Sequence, residues 1–147
     1  MKKFFAALCA AVLLMAGCGD NSQAREAKTL DTIKISVNGK DFSATLEDNR
    51  TARAFVDRLP IEIDMRELNG NEKYFYLDAD LPSNSTAVKQ IHAGDLMLFG
   101  SNCVVLFYKD FATSYSYTRL GKLNDATDLE KILGGGNVRV QFVKQTS

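Results

Sequence analysis

The chain has 147 residues with 18 basic and 18 acidic side chains, one histidine and no tryptophan. That length suits one domain with a real core. The balanced charge and the lack of any basic stripe argue against a nucleic-acid partner.

Residues 1–17 read as an export signal. Lys2 and Lys3 give a positive start, Phe4 to Met15 is an unbroken apolar run, and Ala16-Gly17 places small residues before Cys18. The run is too short for a permanent membrane helix. Leu14-Met15-Ala16-Gly17-Cys18 resembles the bacterial lipoprotein signal, with Met15 where such signals usually carry leucine. The resemblance implies that Cys18 receives a diacylglycerol (with palmitate-type acyl chains) and becomes the mature N-terminus. The implied address is the bacterial cell envelope, with the membrane as partner through the lipid. Gly19 stands where a retention acid would follow the cysteine, which points to the outer membrane in a Gram-negative cell. With Lys2 and Lys3 removed, the mature part carries 16 basic against 18 acidic residues, a net charge of −2. Cys9 leaves with the signal and Cys18 is acylated, so Cys103 is the only free thiol and no intramolecular disulfide can form.

Residues 18–31 form the acylated cysteine and a flexible tether. The polar stretch 19–27 has no apolar face and spans roughly 15–20 Å as a random coil. Residues 32–147 form the domain. Ile33, Ile35 and Val37 alternate with polar residues, Asn38-Gly39 is a strong hairpin turn, and Phe42, Ala44 and Leu46 alternate on the return strand. A helix is expected over 49–59, capped by Asp48 or Asn49, with Ala52, Phe55, Val56 and Leu59 as its apolar stripe and Pro60 stopping it. Strands follow over 61–66 and 73–77, around the turn Leu68-Asn69-Gly70-Asn71. The stretch 78–94 is long, irregular and a candidate functional loop. Two apolar strands over 95–99 and 103–108 read as the centre of the sheet, and 115–123 as a seventh strand. A second helix is expected over 125–133, capped by Asp125 and ended by Gly134, and Val138, Val140 and Phe142 mark the last strand. Eight strands with only two short helices exclude a doubly wound parallel sheet. They favour a mainly β fold: a closed eight-stranded antiparallel barrel with two short capping helices.

This order resembles the cyclophilin fold, and more closely a family of small bacterial cyclophilin-like proteins without an assigned function. The residues carrying the likeness are Val37-Asn38-Gly39-Lys40, Leu46-Glu47-Asp48-Asn49, Leu68-Asn69-Gly70-Asn71-Glu72-Lys73-Tyr74, Ile91-His92-Ala93-Gly94-Asp95-Leu96 and Ser114-Tyr115-Ser116-Tyr117-Thr118-Arg119-Leu120-Gly121. They run from about residue 33 to 142. Cyclophilins isomerise prolyl bonds with an arginine in a Phe-His-Arg run on the third strand. Here that strand reads Ile61-Glu62-Ile63-Asp64-Met65-Arg66, without the run and without the Gln and Gly-Gly-Asp that follow it. Catalytic residues are therefore not carried over. Arg66 and Arg119 remain candidate arginines.

No cofactor or metal motif stands out. His92 is the sole histidine, without metal-ligand spacing, and reads as a hydrogen-bonded loop residue or, secondarily, a ligand contact. Asp95 reads as a strand-start residue, and Cys103 as a core thiol. Gly134-Gly135-Gly136 follows a helix, so it is a cap and turn and not a phosphate loop. Glu72, Asp78 and Asp80 read as scattered surface acids lacking calcium-loop spacing. Tyr74 and Tyr76 share one side of their strand, and Tyr115 and Tyr117 one side of theirs. Their rings either fill and coat the barrel or line an aromatic groove for a peptide or small ligand, with Arg66 and Arg119 as polar contacts. Three functions follow: a non-catalytic binding module, an envelope prolyl isomerase with a non-standard site, or a protein-docking module using the 78–94 loop.

Overall fold

The computed structural model describes residues 30–145. The expected export signal over 1–17, the expected lipid site at Cys18 and the expected tether as far as residue 29 lie outside the described residues. Eleven strands and two helices follow in the order β1 (Thr32–Val37), β2 (Lys40–Leu46), α1 (Arg50–Val56), β3 (Ile61–Leu68), β4 (Glu72–Tyr76), β5 (Thr86–Ala87), β6 (Gln90–Ile91), β7 (Asp95–Phe99), β8 (Cys103–Phe107), β9 (Phe111–Ala112), β10 (Ser116–Leu123), α2 (Leu129–Leu133) and β11 (Val138–Lys144). The long strands pair in the order β2-β1-β11-β3-β4-β8-β7-β10, and β10 pairs back onto β2, closing an eight-stranded barrel. Each of these pairings is antiparallel.

Local chemistry places the first turns. Val37 pairs with Lys40 across a two-residue loop in which Asn38 (φ 48°) and Gly39 (φ 77°) are both left-handed. Asparagine and glycine tolerate that conformation, and its twist matches that of the flanking strands. Asn69 (φ 55°) and Gly70 (φ 67°) turn the chain from β3 into β4 in the same region of backbone space.

The barrel interior is a continuous apolar core. Ile33, Ile35, Leu96, Leu98, Val104, Leu106, Leu120, Val140 and Phe142 meet there, joined by Phe55 of α1 and by Leu129 and Leu133 of α2. Phe55 meets Phe142 edge-on, with ring centroids 5.7 Å apart. Asn49 caps α1: its Oδ1 accepts from the Ala52 amide at 2.8 Å. The helix ends at Val56, short of the expected Leu59, because the Arg58 and Leu59 amides turn back on the Phe55 and Val56 carbonyls at 3.0 and 3.1 Å. That tighter turn still delivers Leu59 to the core.

Two local expectations are corrected. Asp125 does not cap α2. Its Oδ1 takes the Thr127 amide at 2.8 Å, turning the chain before the helix, and the backbone passes through a left-handed Asp128 (φ 64°) before α2 begins. The stretch 78–94 is not irregular throughout. It forms β5 against β10 and β6 against β9. Leu81 and Ile91 are buried, the Arg58 guanidinium donates to the Ala79 and Asp80 carbonyls at 2.8 Å, and Thr51 Oγ1 donates to the Pro82 carbonyl at 2.6 Å.

The unbroken apolarity of β7 and β8 has a second cause besides their central place. Leu96, Leu98, Val104 and Leu106 face the interior, while Met97, Cys103, Val105 and Phe107 belong to a separate cluster with Ile91 and Tyr117. Tyr74, Val88 and Phe111 pack against it. Successive side chains point to opposite faces of a strand, so this cluster is a second, smaller core on the barrel's outer surface. Both faces of β7 and β8 are thereby buried.

Candidate functional site

On that outer surface a groove of about 500 Å³ opens. Glu72, Tyr74 and Tyr76 alternate along β4 and share its outward face. Tyr115 and Tyr117 enter at the start of β10, and Phe99 comes from the end of β7. Cys103 and Val105 of β8 lie between them, with Phe111, Thr113 and Ser114 completing one side. Three strand spacings separate β4 from β10, about 14 Å. Tyrosines on each side can therefore flank a common floor.

The two tyrosine pairs do come together, on the outside of the barrel and not in its interior. Tyr74 and Tyr76 meet edge-to-face with centroids 5.8 Å apart. Phe99 bridges the other pair, 6.0 Å from Tyr115 and 5.6 Å from Tyr117. Tyr117 is buried and also abuts Phe107 at 5.5 Å, whereas Tyr76 and Tyr115 are 67% and 63% exposed. Tyr117 thus anchors the groove to the second core, and the other two rings stand open to solvent. Burial and the nearby Glu72 carboxylate push the Tyr117 phenol up to about 12.

Glu72 is the residue that sequence reading missed. It reads as a solvated acid, yet it is half-buried in the groove wall. Burial, and then the Glu67 charge, push its carboxyl up to about 6. The missed signal was its two-residue spacing from Tyr74, which places it on the tyrosines' face. Cys103 is a buried thiol as expected, but it belongs to the outer cluster. Burial and Glu72 push it up to about 11, which disfavours the thiolate at neutral pH.

The other candidates lie elsewhere. Arg66 is exposed on β3 opposite Tyr74 and is not among the groove-lining residues. Arg119 lines a different depression with Asn49, Pro82 and Asn84. His92 is an exposed loop residue whose amide donates to Asp95 Oδ2 at 2.9 Å, with its Nδ1 3.9 Å from the same oxygen. Asp95 opens β7, in keeping with a strand-start role. Asp78 and Asp80 are exposed.

A second unanticipated feature is Lys73. It follows Glu72 but points the other way, fully buried. Its Nζ donates to Glu67 Oε2 at 2.5 Å and to the Gly134 and Gly136 carbonyls at 2.8 and 2.5 Å. Three acceptors match the three donors of an ammonium group. The Tyr108 hydroxyl donates to Glu67 Oε1 at 2.6 Å, and the Lys73 ammonium sits 5.4 Å from the Tyr108 ring centre. Burial opposes the Glu67 charge, but hydrogen bonds from Lys73 and Tyr108 outweigh it and lower the carboxyl. The glycine turn after α2 thus presents carbonyls to a cation, the opposite polarity to a phosphate cradle.

Comparison with known proteins agrees with this architecture. No curated protein matches the chain. Among solved structures, a hypothetical protein from Archaeoglobus fulgidus aligns with a TM-score of 0.54 at 17% identity, covering 82% of this chain and 99% of its own. At that identity the likeness speaks for the fold alone. A sequence model of the cyclophilin-like family matches residues 35–143, which takes in all eight barrel strands in whole or part. The chain belongs to the cyclophilin-like family.

Proposed function

We propose that this protein is a lipid-anchored component of the bacterial cell envelope whose barrel is a non-catalytic module binding a peptide or small ligand. The aromatic groove carries the reading. Exposed Tyr76 and Tyr115 flank a floor of Cys103 and Val105, supported from beneath by a packed second core. A cavity of about 500 Å³ lies in the range of small-ligand sites, and directed polar groups among aromatics are what such sites use. Among the described residues no arginine lines the groove, so the guanidinium that prolyl isomerisation uses in cyclophilins has no counterpart among them there. The anchor rests on Leu14-Met15-Ala16-Gly17-Cys18.

The test uses the full chain in mild detergent. A panel of peptides and small aromatic compounds is screened for ligand-induced stabilisation, and cis–trans exchange of a proline peptide is followed in parallel. Stabilisation of about 2.7 kcal/mol is expected at a hundredfold excess over Kd, with the exchange rate unchanged. Accelerated exchange that is lost on Arg66→Ala or Arg119→Ala would replace the binding reading with an isomerase.

A further inference from the structure

The charge inside the groove narrows the ligand. Among the described residues Glu72 is the only carboxylate lining it, and no lysine, arginine or histidine among them lines it. No basic side chain pairs with Glu72 among the described residues. The nearby Glu67 is already engaged by Lys73 and Tyr108. Asn71 also lines the groove. The wall therefore carries a half-buried negative charge with no positive group against it among the described residues. Burying a charge is costly unless it is paired. A neutral occupant without a hydrogen-bond donor would remove more water from Glu72 and leave it unpaired, and an anion would meet direct repulsion. A cation adds charge attraction that a neutral donor lacks, and so makes the strongest contact with the carboxylate. The rings point the same way, since the faces of tyrosine and phenylalanine attract an ammonium group by their quadrupoles.

Building on the binding-module reading, we infer that the groove selects an organic ammonium group, held against the rings of Tyr74, Tyr76, Phe99 and Tyr115 with Glu72 as counter-ion. Two sources share this chemistry: a free quaternary amine and the side chain of a lysine-bearing peptide. Recognition weakens in acid as Glu72 takes up a proton near pH 6. The titratable groups facing it are Glu67 from β3, Cys103 from β8, Tyr108 just beyond β8, and Tyr117 from β10, with Arg66 opposite Tyr74. Burial pushes Cys103, Tyr108 and Tyr117 further up from ordinary values already above neutrality, so they stay protonated, and Lys73 and Tyr108 hold Glu67 ionised. Among these four acids and Glu72, only Glu72 changes charge between pH 5 and 8.

The experiment titrates the full chain in detergent with choline and with its uncharged carbon isostere 3,3-dimethylbutan-1-ol, followed by calorimetry and by tyrosine fluorescence. A short peptide bearing free lysine, compared with the same peptide acetylated on that lysine, separates the two sources. Choline or the free-lysine peptide is expected to bind at least about tenfold more tightly than its neutral counterpart. Glu72→Gln is expected to erase that preference while the neutral ligand's affinity holds, and Tyr76→Leu to weaken cation binding severalfold. Lowering the pH from 7 to 5 mimics Glu72→Gln in the unaltered chain, independently of whether the variant folds. Equal binding of charged and neutral partners overturns the cation inference and leaves the binding module standing. No binding by either, with groove tyrosines silent into the millimolar range, overturns both. A concentration-dependent dimer that buries Tyr76 and shuts out choline would assign the face to self-association instead.

Discussion

Lys73 and Glu72 are neighbours with opposite fates, and the alternation of a strand explains it. Lys73 shares the inward face of β4 with Phe75, while Glu72 shares the outward face with Tyr74. Lys73 tolerates full burial because every ammonium proton has an acceptor. Removing one partner of such a pair strands the other. Lys73→Met is expected to cost about 3 kcal/mol in denaturant unfolding, and Lys73→Met with Glu67→Gln markedly less, since the second change removes the stranded charge. The two glutamates also give opposite pH signatures. Glu67 is lowered by folding, so its contribution is fully present above its unfolded value of 4.5 and is lost as the pH falls through its folded value. Glu72 is raised, so the folded state holds the proton more tightly, and stability declines as the pH rises from 4.5 through about 6. Glu72→Gln is expected to abolish that decline, measured as the change in unfolding midpoint between pH 5 and 7. The neighbour alternation was visible in the sequence. The acceptors for Lys73 were not, because Gly134 and Gly136 stand some sixty residues further along the chain.

At the level of elements, barrel closure rests on one seam. Gly121 of β10 faces Leu46 of β2, and a Cβ there would lie 2.4 Å from the Thr45 carbonyl oxygen and 2.9 Å from Leu46 Cα. Those are backbone atoms held by the ladder, so neither can step aside. Gly121→Ala is expected to destabilise the fold by about 1–3 kcal/mol in thermal or denaturant unfolding, the range for forced overpacking. Asn49 ties a helix to the same strand: its Oδ1 caps α1 and its Nδ2 donates to the Arg119 carbonyl at 2.8 Å. Asn49→Ala loses both contacts and is expected to cost about 1–2 kcal/mol. Asn49→Ser keeps the cap alone and is expected to recover about half of that. The extents of the eight barrel strands were legible to within a residue or two, because the outer strands alternate and the two unbroken apolar runs of β7 and β8 are bounded by turn residues. The start of α2 was not, because Asp125 makes a turn that an N-cap also resembles in sequence.

For the whole molecule, the proposed anchor is expected to act without altering the barrel. Cys18→Ser is expected to abolish acyl labelling, block processing at that site and shift the protein out of the membrane fraction, while leaving the barrel's unfolding midpoint unchanged. A mature N-terminus elsewhere, without lipid, would refute the anchor. The stretch 78–94 bears on the fold. Its Ile91 is fully buried in the second core, against which Phe111 of the groove wall packs. Cutting it back is therefore expected to lower stability and disturb the groove together. The sequence by itself determined the hairpin turns, the strand faces and the shared side of each tyrosine pair, since all of these arise from backbone sterics and side-chain periodicity within a few residues. Only the tertiary structure decided that β10 closes onto β2 at a glycine, that β7 and β8 are buried on both faces, and that Glu72 and both tyrosine pairs share one groove. Those outcomes depend on which distant surfaces meet, and no local preference encodes which face of one strand will lie across from which face of another.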